Sequence, residues 1–304
     1  MTEGLYGTPL DAAAETLAGD DRDPDAVRAA LEPVAEDGVV SEAAVEDAVG
    51  DAAGAVSTAE TRAEIAAVDV ADAREAAAPV SHLDAVAARL ARFERRLDDV
   101  EATVADLHAS LEDLLSRTDD PDVLAVAEDV RRLRARGNRT QAAADELQFD
   151  VDDFETWLDD PTVRYDELAA DLDALVAFLD DVAEEAAALD DGTATDPARR
   201  WFDATLRHRV VSLLLADLRA DRRDFRAWPD ADAPDRAADA ADRIEGLAER
   251  HETLDERLDA VADSAWRERY ADRLAAAEDA LDAHEPPVEW AAVQETLAAH
   301  RPSA

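Results

Sequence analysis

The chain has 304 residues and a formal net charge of −44, from 75 acidic residues against 31 basic ones, every one of them arginine. Cysteine is absent, which excludes disulfides, a thiolate nucleophile and zinc-finger sites. So acidic a surface also argues against direct nucleic-acid binding, because phosphate contact needs a cationic face.

Hydrophobic residues reach 47% but alanine supplies much of that, and aromatics are only 5%. Alanine forms helix readily and buries little area, so the expectation is an all-α fold with a thin core spread along helices. A disordered acidic chain would lack the sustained leucine and valine periodicity seen here. Acid excess, aspartate-rich loops and missing lysine together point to a halophilic protein. At about 1 M salt the Debye length is roughly 3 Å, and self-repulsion is largely screened. No signal peptide and no apolar run of about 18 residues is found, so the reading is a soluble, cytoplasmic chain without a membrane span. The longest apolar run, Val210 to Ala216, is too short to cross a bilayer.

The first segment, residues 1–79, reads as a small helical N-terminal domain. Asp23 before Pro24 is a good N-cap and first-turn pair, and Gly38 ends that region. Helices then start at Ser41 and, after a second cap, at Ser57. Val27, Leu31, Val34, Val45, Val49, Ile65 and Val68 are the expected core.

Residues 80–190 read as an antiparallel coiled-coil three-helix bundle. From Leu83 to Leu114 the large apolar residues recur in strict three-four steps, a heptad seam. "TDDPD", with Asp120 and Pro121, breaks this helix and caps the next, about 121 to 159, whose own seam runs from Val123 to Leu158. The short turn favours an antiparallel hairpin over a parallel dimer. With Leu114 opposite Val123, large Val100, Leu97 and Phe93 face small Gly137, Thr140 and Ala144, and Arg89 lies near Asp150 and Glu101 near Arg134. A third helix, about 162 to 189, is expected to cover Leu115 and Trp157. This gives an elongated bundle with antiparallel hairpins.

Residues 197–304 form a C-terminal helical region. One helix covers about 197 to 227. The next, about 235 to 283, changes phase between Val261 and Trp266, and a short helix with Trp290, Val293 and Leu297 follows. Residues 198–228 concentrate arginine in an acidic chain and carry aromatics at both ends. Arg199, Arg200, Trp201, Phe202, Arg207, Arg222, Arg223, Phe225 and Trp228 are therefore candidate partner-binding residues, arginine and tryptophan being common interface anchors. The bland alternative is a central helix paired to acidic neighbours.

No constellation points to catalysis. "HETLD" at His251 lacks the second histidine of a zincin helix, and His251 sits on its own helix seam as a register residue. The loop "EDGVVSEA" at 36–43 lacks the oxygen ligands of a calcium loop. Adjacent aspartates such as Asp152 with Asp153 and Asp180 with Asp181 point about 100° apart on a helix and do not converge. No Glu-x-x-His pair, phosphate loop or nucleophile elbow occurs. The chain is read as no enzyme, without cofactor or metal.

The runs "DRDPDAVRAALEPVAEDGVVSEAAVEDAV", "VSTAETRAEIAA", "RTQAAADELQFDVDDFETWL" and "WFDATLRHRVVSLLLADLRADRRDFRAW" resemble those of haloarchaeal proteins catalogued as halo transducer proteins. The likeness runs over most of the chain and implies an archaeal protein linked to signal transduction. The expected function is a non-catalytic scaffold or adaptor with a protein partner. The alternative is a dimerising coiled-coil protein of chromosome-organisation or chaperone type, a homo-oligomer.

Overall fold

A computed structural model describes residues 5–117, 122–229 and 233–301. The fold is all-α. Among the described residues the helices are α1 (Leu10–Ala18), α2 (Pro24–Leu31), α3 (Glu42–Ala76), α4 (Asp84–Ser116), α5 (Val123–Asp159), α6 (Pro161–Asp190), α7 (Pro197–Ala227), α8 (Pro234–Val261), α9 (Ser264–Leu281) and α10 (Trp290–His300). Two-residue strands β1 (Ala35–Glu36) and β2 (Val39–Val40) pair antiparallel around Asp37 and Gly38, which take φ of 51° and 78°. Two successive positive φ values suit the tight hairpin turn that Asp-Gly favours, so the loop at residues 36–43 opens with a minimal hairpin. No described helix is long and apolar enough to cross a membrane.

The chain divides into two compact units, Met1–Ala76 with Leu90–Phe154, and Ala77–Arg89 with Glu155–Ala304. These boundaries fall inside α4 and α5 rather than at the expected residues 79 and 190. The reason lies in α3. Two helices were expected after residue 41, but one 35-residue helix forms. Ser41 caps it, its Oγ accepting from the Ala44 amide at 3.1 Å. Ser57 does not start a new helix. The Thr58 and Thr61 hydroxyls donate to the carbonyls of Gly54 (2.8 Å) and Ser57 (3.0 Å), the turn-back bonding that hydroxyl residues adopt inside helices. Gly50 and Gly54 each cost about 1 kcal/mol against alanine. Burial of Ala48, Ala52, Val56, Ala59, Ala63 and Ala66 along one face offsets this.

In the first unit α3, α4 and α5 supply the long helices. Val27, Leu31, Val34, Val45 and Val49 are buried as expected, but Ile65 and Val68 are 40% and 58% exposed. They lie off the alanine face by which α3 packs. The α4 seam is filled within the chain, with Leu107 and Leu114 fully buried beside Val126 and Val130 of α5. The α4–α5 register differs from the expected one. Phe93 packs edge-on against Phe154 at 5.4 Å, Arg96 pairs with Asp150, and Arg117 pairs with Asp129 at 2.6 Å. The residue opposite Phe93 is thus displaced from Ala144 by about ten residues, close to three turns. Gly137 does not make room for Val100. A Cβ placed on it would lie 3.0 Å from the Ala55 carbonyl oxygen, so this glycine lets α5 approach the backbone of α3. Arg134 accordingly pairs with Asp51 at 3.4 Å, and not with Glu101. Leu115 is 50% exposed, and the expected third helix, α6, belongs to the second unit. The "TDDPD" turn at residues 118–121, with its aspartate pair, lies outside the described residues.

In the second unit α6, α7 and α8 pack on one another, and α9 and α10 extend from α7 and α9. Asp160 caps α6, with Pro161 in its first turn. Every seam residue of α6, from Tyr165 through Leu172 and Val182 to Leu189, is buried. Arg236, Arg243 and Arg250 of α8 pair with Asp166, Asp173 and Asp180 of α6. The shared seven-residue step makes α6 and α8 parallel, with α7 running against both. Asp181, next to Asp180, instead faces Arg207 of α7 at 3.5 Å, so that aspartate pair diverges as expected. The phase change at Val261 is a true break. Asp263 caps α9 through the Ala265 amide at 2.7 Å, making two helices where one was read.

Candidate functional site

Helix α7 carries eight arginines and, with Trp228 just past its end, four large aromatics lie at its termini; the fold treats the two classes differently. The aromatics turn inward. Trp201 (4% exposed) and Phe202 (0%) join a cluster with Tyr270, Leu281 and Val293, and the Trp201 indole donates to the Leu258 carbonyl in the last turn of α8 at 3.1 Å. At the other end, Phe225 and Trp228 pack edge-on against Trp157, at 5.7 Å and 5.4 Å. These four side chains hold helix ends inside the unit, and none presents an exposed anchor.

The Trp157 end is built around a buried guanidinium. Arg164 is 2% exposed, stacks over Trp228 at 4.1 Å, and donates to the Trp157 and Leu158 carbonyls at 2.8 Å each. Those carbonyls close α5, where the helix dipole favours a cation. Burial holds the Arg164 pKa below its usual value. Arg89 stacks on the Trp157 ring at 4.2 Å and donates to Glu167 at 2.7 Å, rather than meeting Asp150. Asp224, also buried, accepts from the Ala85 amide at 2.8 Å and so caps α4.

The arginines divide in turn. Arg199 lies 3.8 Å from Asp203, Arg207 reaches Glu185 at 3.0 Å and stacks over Phe178, and Arg209 reaches Glu278 at 2.7 Å. Arg200 is exposed. Arg219, Arg222, Arg223 and Arg226 are different. Their spacing places all four on one helix face. With Ala227, and with Ala241, Ile244 and Glu245 of α8, they line a groove of about 830 Å³. No ion pair among the described residues engages any of the four, and the Nε of Arg222 is buried without an acceptor. A cationic groove with a small apolar floor can bind carboxylates or phosphates in bidentate fashion.

Two further polar groups lie outside the candidate partner-binding set, and of their residues only His251 was singled out from the sequence. On α6 and α7, burial raises the pKa of Asp171 and Asp217, and pushes Asp221 up to about 7, the neighbouring Asp217 adding to that. The Asp217 carboxylate also accepts from the Val288 amide at 3.0 Å. On α7 and α8, His208 stacks on His251. Burial is the main cause lowering the pKa of both rings. Among the described residues no three metal-ligating side chains converge. Scans against family models, curated proteins and solved structures each find no match.

Proposed function

We propose that the protein is a non-catalytic helical scaffold or adaptor that docks an acidic protein segment in the arginine groove of α7, in the signalling setting its resemblance to halo transducer proteins implies. The carrying observation is the quartet Arg219, Arg222, Arg223 and Arg226, which line one groove and which no ion pair among the described residues engages. Acids outnumber bases by 75 to 31, so carboxylates to pair with are plentiful on this chain. Elsewhere on α7, Arg207 and Arg209 take them from α6, α8 and α9. Four clustered cations that no described carboxylate engages suit a surface that takes its counter-charge from a partner. Only Arg222 and Arg223 of the expected partner-binding set belong to it. The buried aromatics are its foundation.

The test is binding of a labelled glutamate- and aspartate-rich helical peptide to the intact chain, against the charge reversals Arg223→Glu and Arg226→Glu, both exposed positions. Losing two charge-assisted contacts should weaken binding roughly 10- to 100-fold while helicity is kept. Equal binding by the variants, no binding at all, or preference for a single-stranded RNA probe each overturns the reading.

The dimerising alternative has one observation in its favour. Ile65, Val68 and Phe149 are exposed, Phe149 at 70%. Light scattering in molar KCl decides it, since a monomer removes the dimer.

A further inference from the structure

Near the middle of the α7–α8 contact, His208 and His251 lie face to face, ring centroids 4.0 Å apart and planes 4° from parallel. Their bonding is reciprocal. The His208 Nε2 lies 3.0 Å from the His251 carbonyl oxygen, and the His251 Nε2 lies 3.3 Å from the His208 carbonyl oxygen. A carbonyl only accepts, so each ring carries a proton on Nε2 and donates it across the interface. Neutral rings in that tautomer can satisfy both bonds and stack without repulsion.

We infer that the stacked His208–His251 pair is an acid-releasable clamp between α7 and α8. The Nδ1 of His208 is buried without a hydrogen bond, 3.4 Å from the Asp255 carboxylate of α8. A first proton is taken there, opposite Asp255. A second proton sets two cations face to face at 4.0 Å in a half-buried contact, and that repulsion falls on the α7–α8 interface.

The surrounding charges define when this occurs. On α8, Asp255 and Asp259 favour protonation of His208. On α7, Arg209 opposes it, though Arg209 is itself held by Glu278 of α9 at 2.7 Å. From α6, Glu185 and Asp181 are taken up by Arg207, and Asp180 by Arg250 beside His251. Ser212 adds a hydroxyl 3.3 Å from the His251 Nε2. Burial lowers both pKa values, so the folded state resists protons that the unfolded chain accepts below about 6.5. The clamp's stabilisation is therefore complete above that value and is lost as pH falls through the folded values.

The experiment follows the imidazole signals of the intact chain by NMR from pH 8 to pH 4.5, assigned with His208→Gln and His251→Gln. Alongside it, hydrogen exchange across α8 is measured at pH 7.5 and pH 5 and corrected for intrinsic rates. Both rings should titrate below 6.5, and amides from Ile244 to Leu258 should lose at least tenfold in protection at pH 5. The double variant should lose that pH dependence. A ring titrating at or above 6.5, unchanged α8 protection, or an equally acid-sensitive double variant overturns the clamp. If the double variant does not fold, the titration and exchange of the intact chain decide.

Discussion

Asp221 shows how far a single side chain can depart from its class in this protein. The chain carries 75 acids, and nothing in the sequence marks this one. Its place on the inward side of α7, near Asp217, Asp171 and Glu167, pushes its pKa up to about 7. Arg89 pulls the other way, yet it is already engaged by Glu167. A carboxylate raised in the folded state holds a proton that the unfolded chain has released. Its effect on stability is therefore neutral in acid and increasingly unfavourable as pH rises from the ordinary carboxylate range through 7. Asp221→Asn removes the ionisation while keeping the shape. Thermal or urea unfolding should find this variant more stable than the parent by about 2–4 kcal/mol at pH 8, with the difference vanishing towards pH 4. A pH-independent difference would mean that the carboxylate ionises freely in the fold. The histidine pair titrates with the opposite sign, so Asp221→Asn also separates the two contributions.

At the scale of helices, small residues decide who packs against whom. Seam periodicity made the long helices legible: every seam residue named on α6 is buried, as are Val123, Val126, Val130, Leu133, Leu147 and Val151 on α5. Periodicity shows that a face is buried but is silent about the register and about the third helix. The small stretch of α5 at Gly137, Thr140 and Ala144 was read as room for the bulky residues of α4. At Gly137 that room is used by the backbone of α3, whose alanines give weak periodic contrast and so no clear face. The arginine groove was half legible for a related reason. The stripe spacing of Arg219, Arg222, Arg223 and Arg226 is written in the sequence, but pairing of the remaining arginines depends on which acids the neighbouring helices bring. The aromatics drew attention for a chemistry, exposed anchoring, that their burial removes. Gly137→Ala tests the close approach. Alanine gains about 1 kcal/mol of helix propensity, but overpacking against backbone atoms at 3.0 and 3.1 Å costs about 1–3 kcal/mol. Net destabilisation of about 1 kcal/mol is expected. Gly50→Ala and Gly54→Ala, with nothing within 4 Å, should stabilise by about 0.5–1 kcal/mol each. If all three substitutions stabilise alike, α3 and α5 are not in contact at Gly137.

For the whole molecule the governing quantity is the charge of −44. Salt acts on it in two opposing ways. It weakens the arginine–carboxylate pairs, including the Arg236–Asp166, Arg243–Asp173 and Arg250–Asp180 ladder. These pairs have exposed acids, and such contacts are worth about 0–1 kcal/mol each even in dilute buffer. Salt also screens repulsion among the acids that no arginine can neutralise. That repulsion is long-ranged, because the Debye length is about 30 Å at 0.01 M salt and still roughly 10 Å at 0.1 M. Even if every arginine were paired, the acids left over would exceed the number of pairs, and the core they must hold together is rich in alanine. Repulsion should therefore outweigh the lost pairs. Circular dichroism in KCl between 0.05 and 2 M is expected to show helicity and Tm rising together, with substantial loss of helix at the low end. Sodium sulfate at equal ionic strength should add a further increase, since it also strengthens apolar burial. Full helicity and a flat Tm in 0.05 M KCl would show that the packed seams of α4 to α8 hold the chain without screening, and would sink the expectation of adaptation to high salt.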